Sequence, residues 1–499
     1  MSPGSPEFVR YRMFIDGEWV DAGAGRFFES LDPFTGRAWA TIPDAEEQDA
    51  DRAVKAARDA LDREDWKRMP PMQRGHLLRR LADLLADNAE RLARTDTRDN
   101  GKLIREMLGQ AKALPGYYHY YAGLADKILG QTIPLENRSI FNYTLREPVG
   151  VVAIITPWNS PLLILSFSLA AALATGNTVV VKPSEYASAS TLEFAKIVGQ
   201  AGFPKGVFNV VTGFGKTSGS ALVSHSGVDK VVFTGGVETG KVIARTAAGN
   251  ITATLLELGG KSPNIVFDDA DIPDAVNGCI AGIFAAAGQT CIAGSRLFLH
   301  EKIHDEFVER LVERTRTIKL GDPSKMESEM GPMATMDQLN KVKGFVGRAI
   351  KEGGTLVYGG RQPEDDALRQ GWFFMPTIFT GMRDDMNLSQ EEVFGPVLAV
   401  MKFRDDEEVV ARANRVRYGL AAGIWTRDIK RAHRVAQELK AGTVWINTYR
   451  ALSYASPFGG YKQSGYGREM GVEALREFTQ VKSVWVNLAD TTPDPFVIR

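Results

Sequence analysis

The chain has 499 residues, 44% hydrophobic and 24% charged, enough for two or more domains around sizeable cores. With 60 Lys and Arg against 61 Asp and Glu, the net charge is −1, which leaves nucleic-acid binding without an electrostatic basis. Two cysteines, Cys279 and Cys291, exclude a disulfide framework and fit a reducing, cytoplasmic setting, and the 6 scattered histidines suggest no metal site.

"GSPEF" (4–8) reads as a cloning remnant and is set aside, and no basic-then-apolar leader follows it. "MFIDGEWVDA" (13–22) alternates around Asp16-Gly17 and predicts a hairpin. Residues 44–126 predict helices, with Leu77, Leu78, Leu81, Leu84, Leu85 and Leu92 at helical spacing. "SIFNYTLREPVG" (139–150) predicts a strand. The uncharged run 148–181 is as long as a membrane span. Pro157, Asn159, Pro161, Gly176 and Asn177 interrupt it, so buried strands flanking a buried helix, rather than a membrane span, are expected.

From there the pattern alternates. Strands are predicted at 151–156, 177–182, 207–213, 230–235 and 253–259, with helices at 161–175, 186–202, 215–226 and 237–249. Such alternation implies a parallel, doubly wound sheet that binds ligands at the carboxyl ends of its strands. A second series follows: "PNIVF" and "RLFLH" around a helix at 271–287, then "LAVMKF", "AAGIWT" and "TVWINTY" separated by helices at 405–418 and 428–440. The fold class is therefore α/β, with two such domains.

"VVFTGGVETGKV" (231–242) carries most of a phosphate-cradling P-loop, G-x-x-x-x-G-K-[ST]. Val242 stands where the motif needs a magnesium-holding hydroxyl, which removes the nucleotide-hydrolase reading. Gly235 and Gly236 still let a ligand approach a helix N-terminus, a seat for a pyrophosphate that needs no metal. "GFGKTSG" (213–219) offers a second glycine turn, and two such turns on neighbouring strands favour a dinucleotide. Taken singly, these glycines are as well explained by tight turns.

Five stretches decide between these readings: "ITPWNSP" (155–161), "LLELGGKSPNIVF" (255–267), "AAAGQTCIAGSR" (285–296), "EEVFGPV" (391–397) and "PFGGYKQSGYGRE" (457–469). In this order and at these spacings the chain resembles the aldehyde dehydrogenase superfamily over nearly its whole length. The resemblance implies a Rossmann-like NAD-binding domain (9–126 and 149–259), a catalytic domain (260–463) and an oligomerisation element (127–148 and 470–499). It also implies a homodimer or homotetramer, acting on a small-molecule aldehyde with no membrane partner.

The resemblance assigns roles by position. Cys291 would be the nucleophile, forming a thiohemiacetal with the aldehyde. Asn159 and the Cys291 backbone N–H would hold the oxyanion. Glu257 would activate the water that hydrolyses the thioester. Its presence favours a free-acid product over the coenzyme A thioester made by acyl-transferring relatives, and the intact triplet argues against a catalytically silent protein on the same fold. For the cofactor, Lys182 and Glu185 in "VVKPSE" match the adenosine-ribose pair, implying NAD ahead of NADP, which stays open. Ile155, Thr156, Pro157, Trp158, Gly215, Gly235, Gly236, Leu258 and Gly259 would line the dinucleotide. Gln338, Glu392 and Phe394 would meet its nicotinamide end. Substrate-tunnel positions fall on Ser160, Leu163, Phe167, Ala285, Thr290, Ile292, Arg450, Leu452 and Phe458. Ser160 and Ala285 replace residues that are often aromatic, which implies a wide tunnel for bulky or cyclic aldehydes. Arg450 at its mouth suits a carboxylate-bearing semialdehyde. Ser168 stands where many hydrolytic relatives carry a lysine near the general base.

Overall fold

The computed structural model describes residues 8–492 and 494–496, so most of the "GSPEF" segment and four positions of the 470–499 element (493 and 497–499) lie outside the described residues. Two large sheets organise the chain. The first has eight strands in the spatial order Gly465–Tyr466, Ala253–Leu258, Lys230–Gly235, Val151–Ile155, Thr178–Lys182, Phe208–Val210, Met13–Ile15 and Glu18–Val20. The five central strands run parallel and are made largely of Val, Ile, Leu and Ala, as sheets covered on both faces require. The Asp16-Gly17 hairpin joins the edge antiparallel, with both turn residues at positive φ (53° and 75°).

Strand order reverses at Val151–Ile155. The chain first steps through Thr178–Lys182 to Phe208–Val210, then returns to Lys230–Gly235 on the other side. That reversal opens a crevice at the carboxyl ends of the strands, where residues 155–159 and Gly235 emerge. The uncharged run after it forms the helix Pro161–Ala174, whose 14 residues are nearly all buried. It packs against the long helix Ile104–Leu124, with Tyr117 and Phe167 stacked 5.5 Å apart. Among the described residues no helix is long and apolar enough to cross a membrane.

The second sheet has seven strands in the order Thr355–Tyr358, Thr377–Thr380, Val397–Phe403, Arg296–His300, Pro263–Val266, Ala421–Trp425 and Thr443–Ile446. All pairs are parallel except the first. The strands Thr355–Tyr358 and Thr377–Thr380, with the helices His304–Arg316 and Met336–Lys351, add to the elements expected from sequence; runs of four residues carry too little periodicity to stand out. A three-stranded antiparallel sheet projects from the body, Ile140–Pro148 pairing along its length with Thr479–Asn487. Asn177 anchors it by donating to the Phe478 carbonyl (2.9 Å) while accepting from the Gly150 N–H (2.9 Å).

Three expected helices are shorter than their patterns suggest. The 215–226 segment divides into a π-turn, Gly215–Gly219, and one short helix, Ser220–Ser224. The 405–418 helix stops at Ala413, because Tyr418–Gly419 pairs antiparallel with Tyr461–Lys462. The 271–287 helix ends at Ile283, because Ala286 and Ala287 take left-handed φ values of 55° and 51°. The P-loop likeness also dissolves. Gly235 ends a strand and Gly240 lies inside the helix Val237–Ala248, leaving no loop to wrap a triphosphate.

Candidate active site

Two cavities meet between the sheets. One, of about 190 Å³, opens along the first sheet's crevice; the other, of about 220 Å³, runs between the helix Pro161–Ala174 and the 450–458 segment. They share Asn159, Ile164, Thr234, Glu257, Leu258 and Cys291. A ligand in each would therefore meet at those residues.

Cys291 reaches this junction through a strained approach. Two consecutive buried alanines in left-handed backbone are unfavourable and persist only when neighbours hold them. Glu106 does so by accepting the Ala286 N–H at 2.9 Å. Beyond the turn, the Gln289 side chain accepts from Ala334 N (2.9 Å), and Tyr449 donates to the Ile292 carbonyl (3.0 Å). The Asn159 amide donates to the Gln289 carbonyl at 3.1 Å, tying the loop after Val151–Ile155 to the loop carrying Cys291. That bond uses one of the two amide hydrogens, so the other can meet a ligand oxygen. Burial pushes the Cys291 thiol up to about 12, with Glu392 and Glu257 adding to the effect. Cys279 is buried and receives a hydrogen bond from Asn264 at 3.3 Å.

Glu257 is the penultimate residue of the strand Ala253–Leu258, 3% exposed, and neither carboxyl oxygen meets a protein donor at hydrogen-bond geometry. Burial raises it well above the usual carboxylate range; Glu469 adds repulsion and Arg468 opposes. Glu469, also buried, is pushed up to about 7 by burial, while the Ser168 hydroxyl, donating at 2.6 Å, opposes the rise. Ser168, noted from the sequence as a departure from the resemblance, is thus bonded to a second buried carboxyl. Each buried carboxyl therefore disfavours its charged form, and the negative charge on one makes the other harder to ionise.

The cofactor side is built from the crevice. Gly236 caps the helix Val237–Ala248, and a Cβ placed on it would meet nothing within 4 Å, so an anionic group can approach that helix N-terminus. Gly235 is packed instead: its Cβ would stand 2.4 Å from the Phe233 ring. Trp158 and Phe394 meet edge to face at 5.3 Å, and Pro157 lines the same wall. Glu392 accepts from Gly260 N at 3.0 Å, and a Cβ on Gly259 would lie 2.1 Å from its other oxygen, so a side chain there would displace the Glu392 carboxylate. Gln338 also lines this cavity and donates to the Val393 and Phe394 carbonyls, both at 2.8 Å. Lys182 pairs with Glu185 at 3.2 Å, and Glu185 lines a separate cleft with Tyr186 and Phe214. These features fit a dinucleotide, with an open helix N-terminus for phosphate and a carboxylate on each side for ribose hydroxyls.

Not every expected residue is brought in. Gly215 is exposed on its π-turn and lines none of these cavities. Ile155 and Thr156 lie at the strand end behind Pro157, with Thr156 N donating to Lys182 O. Ser160, Leu163, Phe167, Thr290, Ile292, Arg450, Leu452 and Phe458 line the larger cavity. Ala285 does not, because the left-handed turn at Ala286–Ala287 separates it from Cys291. The same cavity is lined by Lys102, Gln110 and Glu469, to which the sequence reading gave no role.

A strand-end crevice for a dinucleotide, joined to a cavity holding a cysteine and a carboxyl, defines a nicotinamide-dependent dehydrogenase. The aldehyde dehydrogenase family model matches residues 19–484. A (Z)-2-((N-methylformamido)methylene)-5-hydroxybutyrolactone dehydrogenase of Acinetobacter baylyi is 47% identical over 98% of this chain and 100% of its own length. An NAD+ complex of aldehyde dehydrogenase from Bacillus cereus superposes with a TM-score of 0.94 at 48% identity, covering 96% of this chain and 97% of that one. Betaine aldehyde dehydrogenase from Staphylococcus aureus, in complex with NAD+, gives 0.96 at 40% identity over 98% and 96%. The chain belongs to the aldehyde dehydrogenase family, and it oxidises aldehydes with NAD.

The carboxyl pair generates a pH prediction. A step that needs Glu257 as carboxylate gains rate as pH rises through its elevated pKa, giving an acidic limb in kcat. Glu469→Gln removes the neighbouring negative charge and should shift that limb downward by about one pH unit. A limb that does not move would show that burial alone sets it.

Proposed function

We propose that the chain oxidises its aldehyde through a thioester on Cys291, which Glu257 hydrolyses to the free acid. The meeting of the two cavities at Cys291, Glu257 and Asn159 carries this reading. The Cys291 sulfur, as thiolate, adds to the carbonyl carbon. The oxyanion accepts from the Asn159 amide and the Cys291 backbone N–H, and loss of one such donor typically costs a hundred- to a thousand-fold in rate. Bound NAD supplies the acceptor for the hydride that the carbon gives up, and Glu392, Gln338 and Phe394 orient that end of the site. Glu257 then takes a proton from water as the water attacks the thioester, and sulfur leaves as thiolate. Glu185 accepts the adenosine-ribose hydroxyls and disfavours a 2′-phosphate, which gives the preference for NAD over NADP. The units 9–126 with 149–259, and 260–463, serve as cofactor and catalytic domains.

The substrate reading is a bulky or carboxylate-bearing semialdehyde. Arg450 supports it: the residue lines the larger cavity and holds a left-handed φ of 65°, a strained conformation for a side chain of that size. The name of the Acinetobacter relative also supports it, since a 5-hydroxybutyrolactone is the ring-closed form of a 4-oxobutanoate. Purified protein with NAD and a panel of neutral and acidic aldehydes, followed by NADH absorbance, tests both readings. Expected are rates independent of coenzyme A, abolished in Cys291→Ala, and a preference for acidic over neutral aldehydes that Arg450→Ala lowers about tenfold. A coenzyme A requirement would overturn the hydrolytic reading, and an unchanged preference the carboxylate reading.

The projecting sheet is proposed as the assembly element. Val481 is 57% and Trp485 63% exposed on it, an apolar strand that a second subunit would cover. Light scattering should give a dimer or tetramer; a monomer at micromolar concentration would contradict this.

A further inference from the structure

Lys102 follows the helix Ala89–Asn100 by way of Gly101, which turns the chain with a φ of 76° and lies where a Cβ would be 2.9 Å from both Pro33 and Pro332. Its backbone N–H donates to the Asn100 side chain (2.9 Å), and that side chain donates in turn to the Trp158 carbonyl (3.2 Å). The turn is therefore fixed against the loop that carries Asn159. The lysine side chain enters the wall of the larger cavity at 4% exposure, and its ammonium donates to the Ser160 hydroxyl at 3.0 Å. The Ser160 hydroxyl donates in turn to the Asn159 carbonyl at 2.7 Å.

This is an unusual setting for a lysine. Buried lysines are normally paired with a carboxylate, whereas the partner here is a neutral hydroxyl that accepts one of three ammonium hydrogens. Burial lowers the ammonium to about 8, Glu106 and Asp96 opposing and Arg450 assisting. An oxygen arriving in the cavity would meet a donor already desolvated, where a hydrogen bond to a charged group is stronger than in water. The small side chain at 160 is part of the arrangement, because its hydroxyl is the atom the ammonium touches.

We propose that Lys102 is a specificity-determining residue of the tunnel: its ammonium donates a hydrogen bond to an oxygen in the tail of the aldehyde, so oxygenated aldehydes are preferred to hydrocarbon aldehydes of the same size. The inference rests on this cavity being the aldehyde's path, a premise read separately: Leu163→Trp, which narrows this cavity and not the cofactor crevice, should raise KM for both aldehydes together if it holds. It does not rest on the carboxylate reading of Arg450, because neither test aldehyde carries a carboxylate; Arg450→Ala, measured beside Lys102→Met, should leave the ratio within twofold of wild type.

The test is the ratio of kcat/KM for 4-methoxybutanal to that for hexanal, two aldehydes with equal numbers of heavy atoms, at saturating NAD. Lys102→Met should lower that ratio by roughly 10- to 100-fold, the range expected for losing one hydrogen bond to a charged group. Ser160→Leu keeps the lysine but sets an apolar side chain against it, and should lower the ratio in the same direction. It decides the matter if Lys102→Met does not fold. A ratio within twofold of wild type, whether both rates fall together or neither falls, would overturn the proposal and leave Lys102 as a strut for the Asn159 loop.

Discussion

The hydrogen bond from the Asn159 amide to the Gln289 carbonyl joins the two halves of the molecule at their chemistry. Asn159 leaves the switch point of the eight-stranded sheet, and Gln289 stands in the loop that leads into the seven-stranded one. The bond holds the amide beside Cys291 and fixes the loop that presents the sulfur. Much of the surrounding structure serves the same end. Glu106 holds the left-handed alanines, Tyr449 holds the Ile292 carbonyl, and Asn100 braces the Trp158 carbonyl. A nucleophile on an unsupported loop would lose the sub-ångström placement that orientation effects demand.

Around this bond the site separates two jobs by environment. The cofactor side joins an open helix N-terminus at Gly236 to the side chains of Trp158, Glu392, Gln338 and Phe394. The substrate side is made of side chains, with aromatic and aliphatic walls interrupted by Lys102, Arg450 and the buried carboxyls. Glu257 and Glu469 are costly to bury, and their raised pKa values are the visible consequence. The same elevation makes the Glu257 carboxylate more basic than an exposed glutamate, which suits the proton acceptor proposed for it.

The elements were largely legible because their signals are local. Apolar runs ending in Asn159, Gly235 and Glu257 mark strand ends, and those ends lie together in a doubly wound sheet. What escaped depends on long-range contacts. Ser168 and Glu469 are 301 residues apart in sequence, and nothing near either shows that they touch. Lys102 reads locally as a polar residue after a helix, and becomes a tunnel residue only because the Asn100 turn packs on the 158–160 loop. The resemblance put Ala285 in the tunnel, but the left-handed turn at Ala286 and Ala287 leaves it outside the cavity that Cys291 lines. Gly215 looked like a phosphate turn, yet it lies on the exposed side of its π-turn, away from the cavities described above.

If Glu257 hydrolyses an acyl group carried by Cys291, removing its carboxylate should trap that acyl group on the sulfur. Rapid mixing of the Glu257→Gln protein with NAD and a turned-over aldehyde, followed by intact-protein mass spectrometry, tests it most directly. The account predicts a burst of about one NADH per subunit, a steady state slower by roughly 10²- to 10⁴-fold, and a retained acyl mass that Cys291→Ala removes. Wild-type turnover with no retained acyl group would contradict it.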